Sequence, residues 1–289
     1  MPNVTAIDDI LGTLALPFNE AAIVTDYAIG YVKAALSGSE RRTIRIERYG
    51  KTYSIEVLPD RDGGCVSIDG FSKKKLRFFY RSKREMDDTI RMLSNEFIRG
   101  ESGWLNVKGK DVLDVGAYVA DTAIYFVLQG ARHVYAMEPY KHFYDMGRRN
   151  VEGNAMSGKI TMIKAGVSGS GKSREVDSFG KEAKSASGTL GSGGMMSLER
   201  IVNKYKLKDA VLKMDCEGCE YDAILSASTS ALRRFSEMEI EYHYGYLNLE
   251  EKLREAGFKV ERHKPMKRIN FGTGSVMVNG FINAKRIGK

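Results

Sequence analysis

Apolar and polar positions follow two different patterns on either side of residue 100. Before it, short alternating stretches predict four strands, at 43–48, 52–58, 65–68 and 76–80. Apolar residues at helical spacing then predict a helix at 81–99. Residues 6–36 carry a further helical pattern that Pro17 interrupts. We therefore predict that residues 1–100 form an N-terminal α+β accessory segment.

After residue 100, short apolar runs alternate with helical patterns. The runs that alternate in this way lie at 112–115, 134–137, 160–163, 211–214 and 238–242, as is typical of βαβ units around a parallel sheet. Two last apolar runs, 258–260 and 275–282, have no helical pattern between them and predict a closing antiparallel pair. Residues 101–289 are thus predicted to form an α/β domain with a doubly wound, mostly parallel seven-stranded sheet whose last strand is antiparallel.

The ligand-binding and catalytic residues of this domain are expected just after its strands, because open α/β sheets bind ligands beyond the carboxyl ends of their strands. The first run leads into Gly116, and the second leads into Glu138, about 20 residues further on. A carboxylate in that position accepts hydrogen bonds from ribose hydroxyls, but the chain lacks the G-x-G-x-x-G turn that binds a dinucleotide pyrophosphate. The pair therefore indicates S-adenosylmethionine, which has a ribose and no phosphate.

The fourth apolar run leads into the sharpest motif, Asp215-Cys216-Glu217-Gly218-Cys219-Glu220, in which three carboxylates and a glycine lie close together. Together with Asp114-Val115-Gly116-Ala117, Glu138-Pro139 and Ser197-Leu198-Glu199, this motif resembles the FkbM family of methyltransferases over residues 112–260. The resemblance implies a Rossmann-like, class I fold and an enzyme that depends on S-adenosylmethionine. It also implies an acceptor such as a hydroxyl of a sugar, a glycolipid or another small molecule.

Carried over to this chain, the family pattern makes Gly116 and Glu138 contacts of the methyl donor and puts Asp215, Glu217 and Glu220 around the active site. We extend the predicted cofactor site to neighbouring positions, so that it comprises Asp114, Gly116, Ala117, Tyr118, Asp121, Glu138, Pro139 and Asp215. Asp121 is also expected to cap the helix that follows. The chain departs from the family at Tyr118, where Asn is usual, and near Ala120, where Gly is usual.

A hydroxyl acceptor needs a group that takes its proton, and three residues are candidates for this role. His243 follows the fifth run, and an unperturbed histidine titrates at about 6.5. The carboxylates of Asp215 and Glu217 are the alternative, and a polar residue that merely ends a strand explains His243 equally well. We therefore predict that Asp215, Glu217 and His243 carry the catalysis.

An RNA methyltransferase is the first alternative function. The net charge is +8, and Lys and Arg are interleaved with aromatic residues over 73–84, which suits a surface that binds nucleic acid. Aromatic residues of alternating strands more often pack inward, so a charged sheet edge explains the same segment.

A nucleotidase is the second alternative. Residues 166–173 match the phosphate-loop pattern G-x-x-x-x-G-K-[ST] after an apolar run. The residues that follow make a poor helix, and this function leaves Gly116 and Glu138 unexplained.

Loop composition, cysteine number and the N-terminal sequence add three predictions. Residues 168–194 are rich in Gly and Ser, and we predict that they form a flap that gates the substrate. Only Cys65, Cys216 and Cys219 are present, so we expect a reducing compartment, no disulfide framework and no metal site. No apolar run is long enough for a membrane span and no signal-peptide pattern opens the chain, so we expect a cytoplasmic protein.

Overall fold

The computed structural model describes residues 42–48, 50–61, 63–169, 194–270 and 275–288. Contacts between residues divide the chain into two units, Met1–Glu101 and Ser102–Lys289. The helical pattern at 6–36 and most of the flap predicted at 168–194 lie outside the described residues.

The first unit contains an antiparallel four-stranded sheet and one helix. Its strands follow one another in the sheet in chain order, and they are β1 (Arg42–Arg48), β2 (Lys51–Asp60), β3 (Gly63–Asp69) and β4 (Leu76–Tyr80). The helix α1 (Lys83–Leu93) continues into a π-helical turn, Ser94–Arg99. The four predicted strands and the predicted helix are confirmed.

The core of this unit lies between one face of the sheet and α1. Alternate residues of β4 point inward, so that Phe78 and Tyr80 are buried. The helix buries residues at helical spacing, among them Met86 and Ile90. Phe78 also packs edge to face on Phe97. The aromatic side chains of Phe78 and Tyr80 are therefore core residues, and they are not available to stack on nucleic-acid bases.

The second unit is a sheet with helices. Its strands are β5 (Asp111–Val115), β6 (His133–Met137), β7 (Ile160–Ile163), β8 (Gly166–Val167), β9 (Met195–Met196), β10 (Ala210–Met214), β11 (Phe235–Tyr242), β12 (Phe258–Arg262), β13 (Met266–Asn270) and β14 (Ser275–Arg286). Its helices are α2 (Asp121–Leu128), α3 (Lys141–Gly153), α4 (Leu198–Lys204), α5 (Cys219–Ser226), α6 (Thr229–Leu232) and α7 (Leu247–Glu255).

The strand order of the main sheet is β12-β14-β11-β10-β5-β6-β7, and β13 also pairs with β14. The five strands from β11 to β7 run parallel, and β14 runs antiparallel to β11 and β12. This is the predicted mostly parallel seven-stranded sheet with its antiparallel end. The strand β13 and the two-residue pair of β8 with β9 were not predicted from the sequence.

The position of β10 in the centre of the sheet explains why its sequence is an almost continuous apolar run. Every residue from Ala210 to Met214 is buried, as expected for a parallel strand that is covered on both faces. Lys213 is the exception in composition, because it is charged and only 8% exposed.

No helix in the described part of the chain is both long and apolar enough to cross a membrane.

Candidate active site

The carboxyl ends of the parallel strands bring the predicted site residues to one edge of the sheet. The chain passes from β5 to β6 on one side, whereas β10 pairs with the other side of β5. Open α/β sheets bind ligands in the crevice at such a reversal of strand order. Gly116, Glu138, Asp215 and His243 all lie within one residue of a strand end at this edge.

Gly116 makes the closest approach between the two loops of the site. Its φ angle is +80°, and a Cβ atom there would lie 1.7 Å from the carbonyl oxygen of Asp215. The N–H groups of Gly116 and Ala117 both donate to the carbonyl of Met137, over 3.1 and 3.0 Å. The absence of a side chain at Gly116 thus allows the loop after β10 to pack directly against the backbone of this turn.

The turn between β5 and α2 contains two residues in the left-handed region, Tyr118 (φ 45°) and Ala120 (φ 65°). This conformation costs most side chains about 1–2 kcal/mol, and glycine and asparagine adopt it most easily. The backbone therefore explains why Asn and Gly are usual at these positions in the family. Ala120 precedes α2 and Asp121 is its first residue, so the prediction that Asp121 is the capping residue is wrong.

Glu138 joins the loops after β5 and β6. Its two carboxylate oxygens accept hydrogen bonds from the backbone N–H groups of Tyr118, at 3.0 Å, and Tyr140, at 2.9 Å. The residue is 4% exposed. Burial raises the pKa of Glu138 to about 7, against the lowering effect of these two backbone hydrogen bonds. Pro139, which follows it, is half-buried.

Asp114 and Lys213 lie beneath this loop and are both buried. Oδ2 of Asp114 accepts a hydrogen bond from Thr122, whereas Oδ1 has no hydrogen-bond partner among the described residues. Burial lowers the pKa of Lys213, but the carboxylates of Asp215, Asp114, Asp121 and Glu241 outweigh burial and raise it above its usual range. Lys213 is therefore a fixed positive charge.

A cluster of Asp215, Glu217, Glu220 and His243, which we call the acid–histidine cluster, forms the other half of the site. Nδ1 of His243 lies 2.9 Å from Oε1 of Glu220, and its Nε2 lies 3.4 Å from Glu217 and 3.8 Å from Asp215. Burial lowers the pKa of His243, but the three carboxylates, Glu220 foremost, outweigh it and raise the pKa to about 9. A histidine that keeps its proton at neutral pH does not favour the general-base role predicted for it.

A disulfide joins Cys216 to Cys219 within this cluster. The prediction that these cysteines form no disulfide is therefore wrong. The two Cα atoms lie 5.4 Å apart where the loop enters α5, and this distance is normal for a disulfide. Among the described residues, Cys65 is the cysteine that takes part in no disulfide, and it is buried.

A comparison with known protein families matches residues 114–260 to the methyltransferase FkbM domain. This match covers half of the chain and contains both halves of the site. The chain belongs to the FkbM methyltransferase family. It is an S-adenosylmethionine-dependent methyltransferase, and the family expected from the sequence is confirmed.

Solved structures with a similar fold include several other methyltransferases. A precorrin-6y C5,15-methyltransferase from Geobacter metallireducens is 15% identical, with 66% of this chain and 89% of that chain covered and a TM-score of 0.38. A tRNA m1G37 methyltransferase from M. jannaschii is 12% identical, with 80% and 58% covered and a TM-score of 0.44. The M. capricolum TrmK bound to S-adenosylhomocysteine is 12% identical, with 67% and 70% covered and a TM-score of 0.40. No curated protein matches the chain.

The residues of the methyltransferase fit a bound S-adenosylmethionine at the Gly116 side of the site. Asp114 holds a buried carboxylate oxygen without a partner in the described structure, and an amino group of the ligand would supply its missing hydrogen bond. Each oxygen of Glu138 accepts one backbone hydrogen bond and keeps capacity for a second, from a ribose hydroxyl. The donor set therefore suits a nucleoside that carries an amino acid.

The start of the phosphate-loop pattern has a different use in the methyltransferase. The N–H groups of Gly166, Ser168 and Gly169 donate to the carbonyls of Gly194 and Met196 and to the carboxylate of Asp222. A phosphate loop needs such N–H groups to bind the phosphate itself. The described part of this segment therefore does not support the nucleotidase alternative, and its remaining residues lie outside the described structure.

Lys213 was not predicted as a member of the site, and Glu220 was predicted without its partner. The signal for Lys213 was present, since a lysine within an apolar, buried run requires a nearby negative charge. Nothing in the sequence pairs Glu220 with His243, because the two residues are 23 positions apart and meet only through the pairing of β10 and β11.

Proposed function

We propose that the methyltransferase transfers its methyl group to a hydroxyl of a sugar, a glycolipid or another small molecule. The observation that carries this proposal is the position of the acid–histidine cluster, which adjoins the Gly116 loop through the contact of Gly116 with Asp215. An acceptor held at this cluster would meet the methyl group at the edge of the sheet where ligands of such folds bind.

The cofactor side of the proposed site comprises the residues predicted from the sequence. Glu138 binds the ribose hydroxyls, Asp114 binds the amino group, and Gly116, Ala117 and Tyr118 line the cofactor with their backbone. Asp121, Pro139 and Asp215 complete this side. The burial of Asp114, Ala117, Asp121 and Glu138 and the hydrogen bonds of Glu138 support the assignment, because a preformed site loses little entropy on binding.

The acceptor side of the proposed site consists of Asp215, Glu217 and His243. S-adenosylmethionine supplies an electrophilic methyl group on a sulfonium. The side chain of Glu217 is 83% exposed and that of Asp215 is 32% exposed, so both can receive a hydroxyl from solvent, whereas His243 lies behind them. The carboxylates orient the hydroxyl, and Glu217 passes its proton to solvent.

The two units have different roles in this proposal. Residues 101–289 form the catalytic domain, and residues 1–100 form an accessory segment. The burial of Phe78 and Tyr80 removes two of the aromatic side chains that an RNA-binding surface at residues 73–84 would use. A small hydroxylated acceptor is therefore favoured over RNA.

The experiment that tests the proposal follows tritium from labelled S-adenosylmethionine into three groups of acceptors: free sugars and glycosides, glycolipids, and total RNA. We expect label in a hydroxylated small molecule or glycolipid, and its loss in Glu217→Gln at unchanged binding of S-adenosylhomocysteine. Glu255→Gln, an exposed substitution on α7, is the matched control. Label in RNA alone would contradict the proposal.

A further inference from the structure

We propose that Asp215, Glu217 and His243 bind a divalent metal ion, and that two neighbouring oxygens of the acceptor complete its coordination. The second half of this proposal rests on the proposed function, whereas the first half concerns metal binding alone. Mn²⁺ suits this ligand set best, because carboxylates favour hard cations such as Mn²⁺ and imidazole binds most first-row divalent metals.

The distances are close to those of a coordination sphere. One oxygen from each of Asp215 and Glu217 and one ring nitrogen of His243 all lie within 4.8 Å of one another. Ligand atoms at about 2.1 Å from a cation lie at most roughly 4.2 Å apart. Cis ligands of such an ion lie about 3.0 Å apart, so side-chain movements of roughly 0.5–1 Å bring the three atoms around one ion, and the exposed side chain of Glu217 can supply part of this movement.

His243 provides an independent indication of a ligand site. Its side chain is only 5% exposed, and Glu220, which is fully buried, holds Nδ1 at 2.9 Å. This contact turns Nε2 toward Asp215 and Glu217, yet at 3.8 and 3.4 Å Nε2 lies beyond the usual distance of about 2.7–3.2 Å for a direct hydrogen bond. Histidines that bind metals are oriented in the same way, by a carboxylate on the other ring nitrogen.

The charge around His243 also suits a cation. Asp215, Glu217 and Glu220 contribute three carboxylates, and Lys213 offsets part of this charge with its Nζ 3.7 Å from Asp215. A divalent ion between Asp215 and Glu217 would displace the Nε2 proton of His243, neutralise the pair of carboxylates and leave Glu220 to support His243. The exposed edge of the cluster at Glu217 gives the ion a path from solvent.

The proposed acceptor explains why a metal ion would be useful. Water and alkyl hydroxyls are very weak acids, whereas a carboxylate is the base of an acid with a pKa of about 4. A bound metal ion lowers the pKa of an oxygen ligand by several units. The metal would therefore supply the acidification that the carboxylates alone cannot supply.

The chemical step balances with the groups at hand. Glu217 would take the proton of the acceptor hydroxyl on the oxygen that does not bind the metal and would release it to solvent. The acceptor oxygen would form the new bond to the methyl carbon. The carbon–sulfur bond would break, and its electron pair would stay on sulfur as the neutral thioether S-adenosylhomocysteine.

Three protein ligands leave about three of the six positions of an octahedral ion for other oxygens. Two oxygens on adjacent carbons would form a five-membered chelate ring with the ion. An acceptor that fills two of these positions in this way is a vicinal diol or an α-hydroxy carbonyl compound.

The test measures Mn²⁺ binding by electron paramagnetic resonance, on full-length protein that has been treated with chelator and kept without reductant. We expect one Mn²⁺ per chain in the wild type, at least tenfold weaker binding in Glu217→Gln and in His243→Gln, and unchanged binding in Glu255→Gln. Glu217→Gln is the more secure variant, because the exposed side chain contributes little to folding. Absence of Mn²⁺ binding in the wild type, or equal binding by Glu217→Gln, would overturn the metal site.

A second measurement separates the two halves of the proposal. Binding of S-adenosylhomocysteine should be the same with and without Mn²⁺, whereas methyl transfer to a vicinal diol should fall at least a hundredfold in the chelator-treated protein and return with Mn²⁺. Full turnover without metal would overturn the role in acceptor binding and leave the metal site itself intact. Failure to bind S-adenosylhomocysteine would instead contradict the assigned cofactor site.

Discussion

The two halves of the site are built by different means. On the proposed cofactor side, backbone hydrogen bonds hold the loops in place, because the N–H groups of Gly116, Ala117 and Tyr118 all donate to Met137 or Glu138. On the proposed acceptor side, charged side chains contact one another, and the side chain of Glu217 is 83% exposed. A site of the first kind is rigid before its ligand arrives, whereas one of the second kind can adapt to different acceptors.

The largest expected effect concerns the contact that links the two halves. Gly116→Ala puts a Cβ atom 1.7 Å from the Asp215 carbonyl at a φ of +80°, so we expect a loss of more than about 3 kcal/mol in the free energy of unfolding. Urea unfolding followed by circular dichroism measures it.

Two matched glycines separate the causes of this effect. Gly109 has a φ of +72° with nothing near its Cβ position, so Gly109→Ala should cost only about 1 kcal/mol. Gly158 has neither constraint, and Gly158→Ala should change the stability little. Equal losses for Gly116→Ala and Gly109→Ala would show that the contact with Asp215 is unimportant.

The second prediction separates acceptor chemistry from cofactor binding. Glu217→Gln should lower kcat at least about a hundredfold, since it removes the proposed proton acceptor. Its dissociation constant for S-adenosylhomocysteine should stay within about twofold of the wild type. Single-turnover kinetics and calorimetry measure the two quantities, and a parallel loss of both would show that the two halves are not separable.

The third prediction concerns cofactor binding alone, the converse of the second. Glu138→Gln should weaken binding of S-adenosylhomocysteine about ten- to a hundredfold, because a hydrogen bond to a charged group contributes about 1.5–3 kcal/mol. Isothermal titration calorimetry measures this change. A circular dichroism melt at the same pH checks that the loss does not come from unfolding.

The fourth prediction uses the pKa of Glu138, which burial raises to about 7. Ribose hydroxyls donate to the ionised carboxylate, so binding requires Glu138 to lose its proton. The affinity of the wild type for S-adenosylhomocysteine should therefore fall as the pH is lowered through 7, by at most about tenfold per pH unit. The Glu138→Gln variant is the control, because every other group still titrates in it. An equal dependence of affinity on pH in this variant would contradict the assignment.

The smallest expected effect concerns salt. The KM for a small hydroxylated acceptor should change less than about threefold between roughly 50 and 200 mM salt, whereas binding that depends on several phosphate contacts weakens by orders of magnitude over this range. Initial rates at several salt concentrations measure it. A steep salt dependence would favour RNA.

Local patterns were enough to predict most of the fold. The strand Leu76–Tyr80 and the strand Ile160–Ile163 have the predicted boundaries, because each is a short run with a clear period. The strand Met266–Asn270 was missed because its residues Met-Lys-Arg-Ile-Asn show no apolar run, and its pairing with β14 is what makes it a strand.

The candidate site was predictable to the extent that its residues follow strands. The sequence placed Gly116, Glu138 and Asp215 directly after strands, and the structure has them there. The ion pair of Glu220 with His243 and the charges around Lys213 arise from chain segments that are distant in sequence. The backbone angle at Ala120 depends on the turn as a whole, so composition alone does not predict it; the glycine that is usual near this position in the family was the one sign of it.

The disulfide between Cys216 and Cys219 has a practical consequence for anyone who prepares this protein. Reducing agents are routine additives in purification buffers, and here they would open a bond whose loop contains Glu217. An oxidised sample has one thiol, at Cys65, whereas a reduced one has thiols at Cys216 and Cys219 as well. Two laboratories with different buffers would then study two chemical forms, and their rate constants are comparable only once the thiols of both samples have been counted.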